Sequence, residues 1–247
     1  MYEKINLSTD TNIDSIFKKL NKVYKDIPAT KGCMENINKD GGCNGWCCNF
    51  QNPQVLYSEF LNTWKYILNN WEMDEVIKVI ERAVRSYLSG KVLNKGCIFF
   101  DKEKKLCSIH STRPYNCRVY GVVPDEEFNK SLARVREDFK DDLSFVLIRE
   151  QCDLVETTNH EEVTTKKTDK WWARLNKIEE EMGVPKENIN DDLEGSYRTF
   201  HDHLLLYIAN DKLLMDLTDV RLHGEPYEKE IVANTVVNIL KKAFGGQ

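Results

Sequence analysis

All eight cysteines of this 247-residue chain lie between Cys33 and Cys152, and none follows. Their order is Cys33, nine residues, Cys43, three residues, the adjacent pair Cys47-Cys48, forty-eight residues, Cys97, nine residues, Cys107, nine residues, Cys117, thirty-four residues, Cys152. Two clusters and an outlier must therefore meet in space if the thiols act together. What they do there depends on the redox compartment. The opening stretch MYEKINLSTDTNIDSIF carries acidic residues early and lacks an unbroken apolar core with a small-residue cleavage site, so no secretory signal is expected. No run is apolar for long enough to span a bilayer. A cytoplasmic location follows as the expectation, and there a dense set of cysteines points to metal or redox chemistry rather than disulfides.

Thiolates about three to five residues apart on a turn can converge on one ion, and ligands from distant segments then close its coordination shell. Cys43, Cys47 and Cys48 are such a close set. Adjacent cysteines have diverging side chains, so Cys47 and Cys48 serve different metals or grip a polynuclear cluster from a bent backbone. Simple zinc knuckles use C-x-x-C pairs, which tilts the reading slightly from zinc toward an iron–sulfur cluster. The candidate metal ligands are Cys33, Cys43, Cys47, Cys48, Cys97, Cys107, Cys117 and Cys152. Division into two four-ligand centres, or one centre and a redox pair, stays open. Arg113 and Arg118 flank Cys117, where cations would favour the thiolate form.

Periodicity supplies the scaffold. Ile13, Ile16, Phe17, Leu20, Val23 and Tyr24 recur at helical spacing behind Ser8-Thr9-Asp10, which can cap a helix ending near Pro28. Residues 31–53 are loop-like, with too few aliphatic side chains to pack by themselves. Phe60, Trp64, Ile67 and Trp71 mark one helix, and Val76, Ile80, Val84 and Tyr87 another that stops at Gly90. Cys97-Ile98-Phe99-Phe100 and Leu106-Cys107-Ser108-Ile109 read as two short strands around a charged turn, with one cysteine on each arm. Arg113-Pro114 forces a non-helical approach to Cys117. Phe128, Leu132, Val135 and Phe139 suggest a further helix, and Phe145–Ile148 a buried run leading to Cys152. The C-terminal part offers a Trp171-Trp172-Leu175-Ile178 helix, the run Leu204–Ile208, and a terminal helix with Tyr227, Ile231 and Leu240. The expected fold is mainly α, with a small irregular or β-hairpin cysteine-rich region organised by metal. Its expected divisions are a metal-binding domain over 1–155, a polar linker or loop over 156–169, and a helical C-terminal extension over 170–247.

A net charge of −5 and a pI of about 5.7 give no general attraction to nucleic acid or to anionic lipid, so neither partner is expected, while a protein partner or substrate is compatible with both. His110 is the one histidine inside the cysteine region and could complete a coordination sphere. More often such a residue packs. His201 and His203 would share a face on a strand but diverge on a helix, where solvent exposure is expected. Trp64, Trp71, Trp171 and Trp172 sit at helical spacing and read as core. G-x-G-x-x-G, P-loop, G-x-S-x-G, H-E-x-x-H and C-x3-C-x2-C patterns are all missing, which removes the familiar nucleotide, hydrolase, zinc-protease and radical-cluster readings.

The strings Cys43-x3-Cys47-Cys48, Cys97-Ile-Phe-Phe and Cys107-Ser-Ile-His-x2-Arg113-Pro114-x2-Cys117-Arg118-Val-Tyr120 resemble the YkgJ-type cysteine-cluster family, the zinc- or iron-chelating domain with a CxxCxxCC signature. The resemblance covers residues 33 to 152, and Cys152 occupies a place where members often carry a further cysteine. Three departures stand out. Cys33 is far from Cys43 where the family's first pair is tightly spaced, His110 stands where tyrosine is usual, and Gly121 where proline is frequent. The resemblance implies a metal-binding protein in a structural, accessory or redox role. It extends to the flagellin lysine N-methylases, and so implies as an alternative an S-adenosylmethionine-dependent protein lysine N-methyltransferase, although no methyl-donor motif is recognisable here.

Overall fold

The computed structural model describes residues 12–30, 48, 52–89, 96–104, 106–124, 157, 159–184, 189 and 197–244. Helix α1 (Ile13–Lys25) buries the apolar stripe Ile13, Ile16, Phe17, Leu20, Val23 and Tyr24, so its pattern is realised residue for residue. The proposed cap at Ser8-Thr9-Asp10 lies outside the described residues. Strand β1 (Gln54–Val55) leads into α2 (Tyr57–Asn70), and only Trp71 and Glu72 separate that helix from α3 (Met73–Leu88). Trp64 is buried inside α2, whereas Trp71 closes its end and is half-buried.

A hairpin follows, made of β2 (Phe100–Asp101) and β3 (Leu106–Cys107), antiparallel with Phe100 opposite Cys107. A 3-10 turn (His110–Thr112) and the short helix α4 (Tyr115–Val119) complete the cysteine-bearing stretch. The helix expected around Phe128–Phe139 and the run before Cys152 lie outside the described residues. Helix α5 (Thr165–Glu181) begins within the stretch expected to be a linker, since Thr168 is already on its buried side with Trp171, Leu175 and Ile178. Strand β4 (Arg198–Thr199) pairs antiparallel with β1, and α6 (Phe200–Ile208), α7 (Asp211–His223) and α8 (Pro226–Phe244) end the described chain. The described fold is thus mostly helical with two small two-stranded sheets.

One apolar cluster holds these elements, running from Ile13 on α1 to Val236 on α8. Helix α2 sits between α1 and α5 on one side and α3 and α6 on another, while α3 carries α6, α7 and α8. Phe60 of α2, fully buried, lies at the centre. It stacks on His203 at 5.3 Å and meets Phe200 and Tyr207 edge-on at 5.0 and 5.7 Å between centroids.

His201 and His203 correct the expectation of solvent exposure. They are 5% and 0% exposed. They sit on a helix and do diverge: His203 Nε2 lies 3.0 Å from the Val55 carbonyl, while His201 Nδ1 lies 2.9 Å from Asn52 Nδ2. Both bridge the C-terminal helices to the segment before α2, and that long-range anchoring pulls polar rings into the core. Among the described residues no helix is long and apolar enough to cross a membrane.

Candidate metal centre

The backbone around the cysteines is tied down link by link. The Cys97 amide donates to the Cys48 carbonyl at 2.6 Å, which joins Cys48 to the segment leading into the hairpin across forty-eight residues of chain. The Phe100 amide then donates to the Cys97 carbonyl at 3.0 Å, and β2 pairs with β3 to set Cys107 opposite Phe100. Ser108 clamps the hairpin, its amide and hydroxyl both donating to the Phe99 carbonyl at 3.0 and 2.8 Å. At the charged tip the Asp101 carboxylate accepts the amides of Glu103 and Lys104, each at 3.0 Å, which holds its carboxyl below the usual range. The hairpin is fastened to the core by Arg82, which donates to the Ile98 carbonyl at 2.9 Å, and by Phe99, edge-on to Phe200 at 4.5 Å.

Arg113 to Arg118 form a second anchored unit. Arg113 is extended (φ −52, ψ 138), as the following proline demands, and its buried guanidinium donates to Thr30 Oγ1 at 3.2 Å. Pro114 stands at the N-cap of α4, where its missing amide costs nothing. The first helical amide, that of Tyr115, donates to Glu59 Oε1 at 2.6 Å. Asn116 Nδ2 donates to the Gln54 carbonyl at 2.8 Å and contacts the Tyr197 hydroxyl at 2.5 Å. Arg118 turns back to donate to the carbonyls of Arg113 at 2.7 Å and Ser111 at 3.1 Å, with its guanidinium 4.1 Å from the centroid of the Tyr24 ring. Arg113, Pro114, Tyr115, Asn116 and Arg118 thus each have a structural task in packing, capping or hydrogen bonding.

Glu59 organises this unit. It is 2% exposed and accepts the Tyr24 hydroxyl at 2.7 Å, the Leu56 amide at 3.1 Å and the Tyr115 amide, so one carboxylate links α1 and the N-termini of α2 and α4. Burial pushes its carboxyl up, against the lowering effect of those donors and of Arg118. The Tyr24 phenol is raised well above its ordinary value by burial and by Glu59, with Cys117 adding to the rise and Arg118 opposing it. Tyr197 is pushed up to about 12, chiefly by burial, and Cys117 contributes again. Cys117 therefore sits in the electrostatic reach of Tyr24, Tyr197 and the Arg118 cation. A fixed cation at that place favours a thiolate. A second buried carboxylate, Glu179 of α5, accepts the Tyr57 and Ser58 amides at 3.3 and 2.8 Å and caps α2 from outside.

Cys48, Cys97, Cys107 and Cys117 are all half-buried. Cys33, Cys43, Cys47 and Cys152 lie outside the described residues. Among the described residues alone, no three or more His, Cys, Asp or Glu side chains form a group able to hold a metal. The donor chemistry suits zinc or iron: soft sulfur atoms on a backbone fixed by hydrogen bonds, with Arg118 to offset anionic charge. His110 adds to this fit. Its Nε2 is buried with no hydrogen-bond partner among the described residues, and burial, then Arg113 and Arg118, lower its pKa to about 4, so a neutral ring stands three residues after Cys107.

The match to a known family falls on this same stretch. Residues 39–152 match the model of the CxxCxxCC family, described as a "Putative zinc- or iron-chelating domain". This region is similar to the CxxCxxCC family. The matched span takes in seven of the eight cysteines and leaves out Cys33, the one whose spacing departs from the signature. Neither the curated proteins nor the solved structures compared with the chain gave a match. The CxxCxxCC strings identify the ligand candidates but not their supports. Glu59, Glu179, Thr30 and Asn116 lie outside those signature positions, and the one local signal for Glu59 is its place at the third position of a helix, where a side chain can reach back to the capping amide.

Proposed function

We propose that the CxxCxxCC region is a thiolate-ligated metal-binding unit in which Cys43, Cys47, Cys48, Cys97, Cys107, Cys117 and Cys152, with Cys33 as a further candidate, build one or two centres. The observation that carries this reading is the hydrogen bond from the Cys97 amide to the Cys48 carbonyl. It links Cys48 and Cys97, two cysteines that the sequence separates, and a shared metal would require such long-range links. An iron–sulfur cluster is favoured over zinc because Cys47 and Cys48 are adjacent, a spacing that a polynuclear cluster accommodates better than a tetrahedral ion.

The role follows from how the ligands are held. Bound metal would supply cross-linking energy that orders a cysteine-rich segment poor in aliphatic side chains, and an iron–sulfur cluster would also supply an electron-transfer centre. The protein's own residues do the rest: Arg118 offsets thiolate charge, the Arg113 and Glu59 bonds fix the start of the Cys117 helix, and the β2–β3 hairpin fixes Cys107. A cytoplasmic location belongs to the same reading, since reduced thiols are the metal-binding form.

Anaerobic purification with metal analysis and a visible spectrum tests it. A brown protein with about four irons per cluster that bleaches in air is the expected outcome. A colourless protein with stoichiometric zinc would overturn the iron–sulfur and redox parts and keep the thiolate centre. A folded protein with neither metal would overturn the proposal.

A further inference from the structure

Seven large apolar side chains are exposed among the described residues, and five of them lie on the α7–α8 pair: Met215, Leu222, Tyr227, Ile231 and Ile239. Their exposures run from 60% to 72%, against 44% and 45% for the other two, so the strongest exposure is concentrated on one structural unit. Helix α8 already spends an apolar face inward. Ala233, Val236 and Val237 are buried, α8 packs on α3, and Arg85 of α3 holds Glu230 at 2.6 Å and Asn234 at 2.7 Å. Tyr227, Ile231, Thr235 and Ile239 recur every fourth residue along the exposed surface, at about 40° of helical drift per step. A helix apolar on two sides is under-buried as a lone subunit.

We infer that this outward face of α8 pairs with the same face of a second copy of the chain, antiparallel about a two-fold axis at Thr235. The sequence is symmetric about that residue in the way such an axis requires. Ile231 and Ile239 lie four residues to either side, so each Ile231 meets the partner copy's equivalent of Ile239. Glu228 and Lys242 lie seven residues to either side, so the same operation sets a carboxylate against an ammonium twice over. Seven residues bring each of them within about 20° of Thr235 around the helix, whereas Lys229 and Lys241, six to either side, fall about 120° off the seam. The axial residue is small, and its hydroxyl is already spent: Thr235 Oγ1 donates to the Ile231 carbonyl at 2.8 Å, so it can enter a dry interface without an orphaned donor. Leu222 and Met215 on α7, which packs against α8, are exposed as well. None of the residues invoked here is a cysteine, so the inference stands independently of the metal reading.

Sedimentation velocity on the full, metal-loaded chain tests it, over roughly 1 to 100 µM, the range where an interface of modest size populates both states. The wild type should pass from monomer to dimer. Ile231→Glu should stay monomeric throughout while keeping the wild-type far-UV spectrum, because the side chain it replaces is 60% exposed. Glu228→Lys should weaken the dimer by about tenfold or more, since each symmetric contact counts twice, and the exchange Glu228→Lys with Lys242→Glu should restore it. A wild type that is monomeric at every concentration overturns the inference and assigns the face to a different protein. A double exchange that stays as weak as Glu228→Lys overturns the register about Thr235.

Discussion

Glu59→Ala removes one acceptor that three buried donors share. The Tyr24 hydroxyl, the Leu56 amide and the Tyr115 amide lose their partner together, and no solvent reaches the site of a residue that is 2% exposed. Leaving a buried donor unmade costs about 1–3 kcal/mol, and partial relaxation brings the sum to roughly 3–5 kcal/mol. Glu59→Gln makes the reasoning sharper. Oε1 accepts both Tyr24 and Tyr115, whereas Oε2 accepts only Leu56. An amide oxygen in the Oε1 place keeps two bonds and turns the third into a donor facing a donor, so the loss should be about 1–2 kcal/mol. Urea unfolding followed by far-UV circular dichroism, at fixed metal loading, measures both. The Tyr115 amide opens the helix that carries Cys117, so Glu59→Ala should also release metal to a chelator faster than Glu59→Gln. If Glu59→Ala lies within about 1 kcal/mol of wild type, the carboxylate is not the hub described and the argument for a fixed Cys117 helix fails.

Two further outcomes follow from the same unit. His110 has a pKa of about 4 in the fold, below its ordinary 6.5, so the unfolded chain binds a proton that the folded chain refuses. Stability should therefore fall as pH drops from about 6.5 to about 4 and level off below that. The loss is about 1–2 kcal/mol after allowance for partial exposure, and His110→Gln should flatten that slope in urea titrations at several pH values. An unchanged slope would contradict a buried neutral imidazole. Arg118→Lys cannot reproduce the bonds to the Arg113 and Ser111 carbonyls or the planar contact with Tyr24, and should cost about 1–3 kcal/mol in thermal unfolding. A melting temperature equal to wild type would show the guanidinium to be incidental.

How much of this was legible in the sequence depends on how far apart the partners lie. Helices α1, α2 and α3 could be read directly because each carries an unbroken apolar stripe, and the β2–β3 hairpin because a charged turn separates two apolar runs. Helix α7 leaves little trace in the sequence: it buries only Leu217 fully, so its pattern is weak. Helix α8 is legible as a helix from Tyr227, Ile231 and Leu240, yet Tyr227 and Ile231 lie outside and Ala233, Val236 and Val237 lie within. A helix apolar on two faces has no single phase to read. His201 and His203 looked like surface residues in a locally polar string, and only partners about 150 residues upstream draw them inward. The cysteine order announced the site, whereas the Glu59 hub joins residues 35 and 56 positions away and leaves no local trace.

The central claim, that these thiols hold metal, is tested most directly by counting reactive thiols on the anaerobic protein before and after chelation. Thiol-reactive dye should find few sites on the protein as purified. Chelation should expose about four for each zinc or each cluster released, with metal and thiols appearing at the same rate. Thiols that react fully before any metal is removed, or that stay blocked after it is gone, would contradict the account.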